Sequence, residues 1–243
     1  KANTDANSNS NSKLHVVLEH FSFEMQDLLK NFQTDPDFGF EDLREGYKAI
    51  GTEGHDLDPY EGFLLHCKGD DHAKLHGGFL PRPLASRWYK AGRDTNEKRK
   101  ILEECYEKDY LPPPGDPRHG ALLTTATAAA TATAMHGETD DPLLLEGSNN
   151  HFKLVRSMMS GEDLYDKDDK DNTIDDDPND YLRDEVAASP IGNLYQAQLL
   201  KDHAMGYHLS KLVQTADKDD RFLVIAGMGH LKHHLGVPER FER

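Results

Sequence analysis

The chain has 243 residues, and its 44 acidic and 28 basic side chains give a formal net charge of −16. A protein that holds nucleic acid through phosphate contacts needs a basic surface, so this charge argues against that class. Apolar residues make up only 36% of the chain, and no stretch approaches the roughly 20 apolar residues of a membrane-spanning helix. We therefore expect no membrane span, and a folded core that leaves part of the chain outside it.

The amino-terminal segment combines a polar tail with the start of an α/β unit. Residues 1–12 are rich in Asn and Ser, which predicts a disordered tail, and they contain no basic and apolar targeting leader. Residues 14–18 (LHVVL) form a short apolar run that is typical of a buried strand. Ser22 can then cap a helix, and a strand that leads into an amphipathic helix is half of a βαβ unit. The apolar face of that helix comprises Phe21, Met25, Leu28, Leu29 and Phe32.

The next part of the chain alternates between helix and strand patterns. Asp58 and Pro59, with Glu61 three residues after the cap, predict the start of a second helix. Residues 74–80 (KLHGGFL) predict a weaker strand, and helices are predicted over about 84–89 and 96–106. A proline-rich loop follows at 111–115.

Residues from about 116 to 190 are predicted to form an irregular acidic insertion in a single domain that covers 13–243. They include a low-complexity Ala/Thr tract at 121–134 and 12 acidic against three basic residues between Glu162 and Glu185. A calcium-binding EF-hand loop that began at Asp166 would place Lys170 at a ligand position and Asp171 where glycine is required. The acidic run is therefore interpreted as a solvated surface segment.

The carboxyl-terminal part has the strongest patterns in the chain. Residues 193–213 predict a long helix, and residues 221–227 (RFLVIAG) form a continuous apolar run typical of a central parallel strand. The order of strands and helices predicts an α/β fold with three layers, in which helices flank a mostly parallel sheet.

Polar side chains follow the predicted strands at the edge where α/β sheets bind ligands. Glu19 and His20 follow the first strand, Arg82 follows the weak strand, and His230 follows the last. Because the carboxyl ends of parallel strands meet at one edge, we expect these side chains to lie in one region of the sheet. A lone histidine is usually structural, and the predicted proximity of Glu19 makes a functional His230 equally plausible.

One face of the long helix is half polar. Tyr195, Gln198 and Asp202 share it with the apolar residues Met205, Leu209 and Leu212. Burial of three polar side chains is costly unless they are hydrogen-bonded or used for binding. The alternative is that this face points outward and that a second face, Ala197, Leu200, Ala204 and Leu209, packs on the core. The sequence does not decide between the two.

Motifs of other site classes are missing or poorly spaced. His203 and His208 are five residues apart, which is wrong for a helical ligand pair, and Cys67 and Cys105 are isolated, so we expect no structural zinc site. The sequence contains no Gly-x-Ser-x-Gly elbow, no Walker loop and no Gly-x-Gly-x-x-Gly after a strand.

Several segments together resemble the ChaN-type domain of the haem-binding-uptake/Tiki superfamily. The matching segments are 18–21 (LEHF) with Gln26, 79–85 (FLPRPLA), 111–113 (LPP), 195–198 (YQAQ), 202–205 (DHAM), 224–230 (VIAGMGH) and 236–238 (GVP). The match is strongest over 193–238 and does not extend to the tail or the acidic insertion.

The resemblance implies a three-layer α/β domain with a pocket at the strand ends, and some relatives bind haem between two subunits through a tyrosine oxygen. A tyrosine is an established axial ligand of haem iron. Applied to this sequence, Tyr195 is the first candidate for the axial oxygen and Tyr207 the second. His230 and Arg82 are candidates for the propionates, with Gln198 and Asp202 beside them. The absence of Cys-x-x-Cys-His excludes covalent haem.

The resemblance also leaves two other functions open. Other members of the wider superfamily are hydrolases built on Glu and His residues, which implies a Glu/His or metal-assisted hydrolase with Glu19 and His230 as the catalytic pair. The family usually has an earlier strand with a Gly-Glu-x-His motif, and residues 1–13 do not contain it, which weakens the hydrolase hypothesis more than the haem hypothesis. The third hypothesis is a degenerate domain that serves as a scaffold or accessory subunit of a larger assembly.

Partner and compartment follow from the same resemblance. We expect a homodimer or a larger protein assembly, with no nucleic acid. The Ala/Thr and Asn/Ser tracts and the long insertion are typical of a eukaryotic protein. ChaN-like domains of eukaryotes are often located in organelles, so the resemblance favours a plastid or another organelle as the location of this protein.

Overall fold

The computed structural model describes residues 12–50, 54–116, 118–119, 144–145, 147–160, 186, 189–231 and 236–241. Residues 1–11 of the predicted tail and most of the predicted insertion lie outside these ranges, so both remain predictions. The chain divides into two compact units. The first contains residues up to Phe79 together with Leu212–Ala226, and the second contains Leu80–Lys211 together with residues from Gly227 onward.

The described elements follow the predicted alternation of strands and helices. In chain order they are β1 (Leu14–Ser22), α1 (Gln26–Thr34), α2 (Phe40–Ile50), α3 (Glu61–Lys68), β2 (Ala73–Phe79), α4 (Arg82–Ala91), α5 (Thr95–Glu107), α6 (Asn149–Ser160), α7 (Gly192–Thr215), β3 (Arg221–Ile225), α8 (Met228–Leu231) and α9 (Val237–Phe241).

The first unit contains a three-stranded parallel sheet with the order β2-β1-β3. Leu14 of β1 stands beside Ala73 of β2 and Arg221 of β3, and the register is regular as far as Leu18. The parallel sheet and its flanking helices confirm the predicted α/β class and are consistent with three layers. None of the described helices is both long enough and apolar enough to cross a membrane.

Strand β1 is longer than the sequence predicts. It continues to Ser22, which pairs with Phe79 of β2 after an irregularity in the register. Gly77 permits this extension, because a Cβ atom there would lie 2.3 Å from the carbonyl oxygen of Ser22. Glu19 and His20 therefore lie within the strand, whereas the sequence placed them after it.

Helices α1, α2 and α3 cover one face of this sheet. Their buried side chains pack with those of β1 and β2 into one apolar core that contains Val16, Leu18, Phe21, Met25, Leu29, Phe32, Leu43, Leu64 and Leu75. Helix α2 is not among the sequence predictions. Its buried residues Phe40, Leu43 and Tyr47 have helical spacing, so the pattern that predicts it is present in the sequence.

Two glutamines of α1 complete the outer edge of β2. Gln26 donates through Nε2 to the carbonyl oxygen of Leu75 and accepts from the amide of Gly77 through Oε1. Gln33, two turns later, makes the same pair of bonds with Ala73 and Leu75. Unpaired backbone N–H and C=O groups on an edge strand can form hydrogen bonds with a strand of another chain. The two side-chain amides occupy these groups in place of a further strand.

The second unit is helical in its described part. The α6 helix lies inside the range 116–190 that the sequence predicts as irregular, so that range is not irregular throughout. Phe152, Leu154 and Val155 of α6 are buried. The tracts on either side of this short apolar pattern dominate the composition, which is why the sequence interpretation missed the helix.

A buried carboxylate–imidazole pair joins the amino-terminal ends of the strands in the first unit. Asp220, just before β3, accepts from His15 Nε2 at 3.1 Å and from the backbone amide of Lys13 at 2.6 Å. His15 Nδ1 lies 3.0 Å from Nε2 of His76 in β2, and the two rings are nearly parallel at 12°. These contacts connect β1, β2 and the residue before β3. The pKa of Asp220 is lowered, and the hydrogen bond from the Lys13 amide is the largest cause.

We predict that Asp220→Asn lowers the free energy of unfolding at pH 7 and has a smaller effect at about pH 3, which is below the ordinary aspartate pKa of about 4. A carboxyl group with a lowered pKa in the folded state stabilises the fold above its unfolded pKa, and this stabilisation is lost as the pH falls through the folded pKa. Urea unfolding at both pH values measures it. Asp219→Asn, which removes the same charge from the exposed neighbour, is the control, and equal effects of the two variants would contradict the prediction.

Candidate functional site

Helix α7 is buried on all sides over most of its length. The buried residues of its first five turns include both of the faces that the sequence offered as alternatives, namely Tyr195, Asp202 and Met205 on one and Ala197, Leu200 and Ala204 on the other. The two alternatives are therefore not exclusive. A helix that is enclosed all round must find partners for every polar side chain along it.

Asp202 and His230 form the centre of the candidate site. Asp202 is completely buried, and its Oδ1 lies 2.5 Å from Nδ1 of His230, which is also buried. An ionised carboxylate only accepts hydrogen bonds, so Nδ1 of His230 carries the hydrogen in this contact. The side-chain amide nitrogen of Gln198 lies 2.7 Å from Nε2 and 2.5 Å from Nδ1 of the same ring. Two polar residues of the predicted face thus meet His230.

The chain after β3 is folded so that His230 reaches this position. His230 lies on the single turn of α8, and its amide donates to the carbonyl oxygen of Gly227 at 2.9 Å. Farther along the chain, Gly236 has a φ of +74°, and its backbone lies close to Asp202 and His230. A Cβ atom at Gly236 would lie 2.7 Å from the carbonyl oxygen of His230 and 3.2 Å from Oδ2 of Asp202. Only glycine combines this φ with so close an approach.

Tyr195 contacts the same network from the amino-terminal end of α7. Its side chain is completely buried, and its hydroxyl donates to the carbonyl oxygen of Ser148 at 3.1 Å. Its ring stands edge-on to that of His151, 5.4 Å away. Tyr195 as an axial ligand stays a prediction, and it requires the hydroxyl to leave Ser148 before it can reach an iron atom.

Tyr207, the second candidate ligand, is bound into a charged cluster instead. Its hydroxyl donates to Oδ1 of Asp109 at 2.9 Å, and the guanidinium of Arg118 lies over its ring at 4.7 Å. Lys211 pairs with the same aspartate. Burial, followed by the bond to Asp109, raises the pKa of Tyr207 to about 12. A phenolate ligand is therefore harder to form here than at an ordinary tyrosine.

The remaining predicted site residues lie elsewhere in the two units. Arg82 is the exposed first residue of α4 in the second unit. Glu19 and His20 are half-buried near the end of β1 in the first unit, where the rings of His55 and Tyr60 contact His20. Burial is the main cause of the lowered pKa of His20. The pairing of Glu19 with His230 stays a prediction.

The sequence interpretation missed His151 altogether. It lies in the first turn of α6, is completely buried, and places Nε2 3.6 Å from Oδ2 of Asp202. The only sequence indication is its position before the apolar pair Phe152 and Leu154, and nothing in that pattern distinguishes a functional from a structural histidine. Within the described residues, no group of three or more His, Cys, Asp or Glu side chains is arranged to hold a metal ion.

A family model described as "Haem-binding uptake, Tiki superfamily, ChaN" matches residues 2–241, which is nearly the whole chain. The chain belongs to this family. A search of curated proteins and a search of solved structures each gave no match. The family was predicted from segments between residues 18 and 238, and this prediction is confirmed. The matched range also includes the tail from residue 2 and the acidic insertion, to which the resemblance in the sequence did not extend.

The Asp202–His230 pair fits one part of a haem site. A haem carries two propionates that need hydrogen-bond donors, and the Gln198 side-chain amide, which lies beside the His230 ring, is such a donor. The tyrosine hydroxyls fit less well as they stand, because those of Tyr195 and Tyr207 both donate to protein oxygens. The described residues of a ChaN-family site thus offer polar anchors more readily than an iron ligand.

We predict that Gly236→Ala destabilises the protein by about 1–3 kcal/mol, the usual cost of forcing a residue other than glycine into this backbone region. The added methyl group would also press on the carbonyl oxygen of His230, which cannot move independently of α8. Urea unfolding measures the loss. Gly62→Ala is the matched control, because a Cβ atom on that α3 glycine meets nothing within 4 Å, and we expect it to be neutral or stabilising. A neutral Gly236→Ala would show that the glycine is not required.

Proposed function

We propose that this protein binds haem noncovalently through its second unit, with His230 and Gln198 as polar anchors. The observation that carries the proposal is the contact of His230 with the buried carboxylate of Asp202 and with the amide of Gln198, both on α7. The match to a haem-binding family over nearly the whole sequence supports the choice of ligand.

Asp202 gives His230 the properties of an anion anchor. The carboxylate holds the ring through Nδ1, which fixes the ring orientation, and Nε2 lies beside the Gln198 amide. We propose that a bound propionate takes the place of this contact between Nε2 and the amide. A protonated His230 donates from Nε2 to a carboxylate such as a propionate, with the Gln198 amide as a second donor. Arg82, exposed at the start of α4, is proposed as a further cation for the same groups.

The iron ligand is proposed to be a tyrosine oxygen, with Tyr195 before Tyr207. Haem supplies an iron atom with axial positions that take such a ligand. Tyr195 lies in the same network as His230, whereas Asp109 and two cations engage Tyr207. As in the haem-bound relatives, we propose that the bound form is a dimer.

We predict that haem titrated into the purified protein gives a Soret band distinct from that of free haem, and that His230→Ala weakens binding by about tenfold or more. A hydrogen bond to a charged group is worth roughly 1.5–3 kcal/mol, which corresponds to about ten- to a hundredfold in affinity. His208→Gln is the control, because this half-buried histidine of α7 interacts electrostatically with Lys211 and Asp109.

Tyr195→Phe tests the axial ligand separately, since phenylalanine fills the same space without the oxygen. A shifted or weakened Soret band would assign the ligand to Tyr195, and an unchanged band would exclude it. Haem binding itself is contradicted if the wild-type protein leaves the spectrum of free haem unchanged.

A hydrolase of the Tiki type is the second candidate, and the Asp202–His230 pair is the observation that favours it. A carboxylate on one ring nitrogen of a histidine prepares the other nitrogen to act as a general base. Glu19 would be the second catalytic group. Turnover of model ester or peptide substrates that is lost in both His230→Gln and Glu19→Gln would support this function over haem binding.

A further inference from the structure

The carboxylate of Asp202 has a second imidazole on its other oxygen. Oδ1 contacts Nδ1 of His230 at 2.5 Å, while Nε2 of His151 lies 3.6 Å from Oδ2. The side chains of Asp202 and His151 are completely buried, and that of His230 is 7% exposed. One buried carboxylate therefore lies between imidazoles from α6 and α8.

The second oxygen of Asp202 needs a partner in this position. A buried ionised carboxylate is strongly unfavourable unless opposite charge or hydrogen-bond donors compensate it. Among the described residues, no donor lies within hydrogen-bond distance of Oδ2, and His151 Nε2 is at ion-pair distance. The backbone of Gly236 also comes close to this oxygen, since a Cβ atom there would lie 3.2 Å from Oδ2.

His151 is itself held on the side away from Asp202. Its backbone amide donates to Oγ of Ser148 at 3.2 Å, and the Ser148 carbonyl accepts from the hydroxyl of Tyr195. The edge-on contact with the Tyr195 ring restricts the His151 ring further. The first turn of α6 is thus fixed against α7 at Tyr195, seven residues before Asp202.

We propose that His151 is a positioning residue for the His230 anchor. It restrains Oδ2 of Asp202, which keeps Oδ1 directed at Nδ1 of His230 and holds the ring in the Nδ1–H form. Outer contacts of this kind orient the group that touches a ligand, and their loss costs about 10- to 100-fold in affinity at metal sites. The importance of this role for haem rests on the function proposed above, whereas the role itself concerns the ligand-free protein.

The test is the Nδ1–H proton resonance of His230, measured by nuclear magnetic resonance on the ligand-free full chain with labelled histidine. In the wild type, the short bond to Asp202 places this resonance far downfield and protects it from exchange. His151→Phe keeps a ring against Tyr195 but removes the nitrogen from Oδ2, and we expect it to abolish or broaden the resonance. His151→Gln places an amide donor near the position of Nε2, and we expect it to restore the resonance.

Two further variants complete the test. His151→Asn, whose amide is too short to reach Oδ2, should behave as His151→Phe, and it replaces that variant if the larger ring prevents folding. His208→Phe, which changes a half-buried histidine of α7 near Asp109 and Lys211, should leave the His230 resonance unchanged. A resonance that persists in folded His151→Phe or His151→Asn would overturn the proposal.

The haem experiment separates this inference from the proposed function. If the wild-type protein binds haem, we expect His151→Phe to weaken binding by about tenfold and His151→Gln to recover most of it. If the wild type binds none, the proposed function fails, and the His230 resonance still decides whether His151 positions the anchor.

Discussion

Burial of the Asp202 carboxylate is the constraint on which the second unit depends. A charge with no access to water must be compensated by neighbouring groups, and here the neighbours of Asp202 come from two parts of the chain that are distant from each other in sequence. His230 contacts one oxygen, His151 approaches the other, and Gly236 brings its backbone close to both Asp202 and His230. The position of α8, the first turn of α6 and the turn before α9 are therefore set by one side chain of α7.

The first unit contains a second aspartate–histidine contact with a different role. Asp220 accepts from the backbone amide of Lys13 and from His15, and the His15 ring in turn contacts the ring of His76. Every one of those groups is used to join β1, β2 and the chain before β3. The ring of His230, by contrast, is held by Asp202 through Nδ1, and its Nε2 lies 2.7 Å from the Gln198 side-chain amide. The same pair of residue types thus serves strand cohesion in one unit and suits ligand recognition in the other.

The described residues suit the proposed recognition of the haem propionates better than the proposed contact with the iron atom. The donors of Gln198 and His230 are clustered, and both candidate tyrosines donate to protein oxygens. Tyr207 donates to the carboxylate of Asp109, and burial followed by this bond raises its pKa to about 12, whereas Tyr195 donates to the carbonyl oxygen of Ser148. Tyr195 is proposed before Tyr207 because it lies in the same network as His230.

The sequence by itself determined the fold class, the parallel sheet and the family, because periodic apolar patterns and short motifs are local properties of the chain. It also placed Gln198, Asp202 and His230 among the candidate residues, because polar groups on an apolar helix face and at the end of a strand stand out in a linear pattern. It missed α2, although Phe40, Leu43 and Tyr47 have helical spacing, and it ended β1 before Glu19. The register with β2 and the close approach at Gly77 extend that strand, and both depend on residues far away in sequence. Only the tertiary structure decided that both faces of α7 are buried and that His151 approaches Asp202. These contacts depend on the packing of α6 and α8 around the Asp202 carboxylate. They join residues far apart in sequence, so no local pattern within α6 or α8 predicts them.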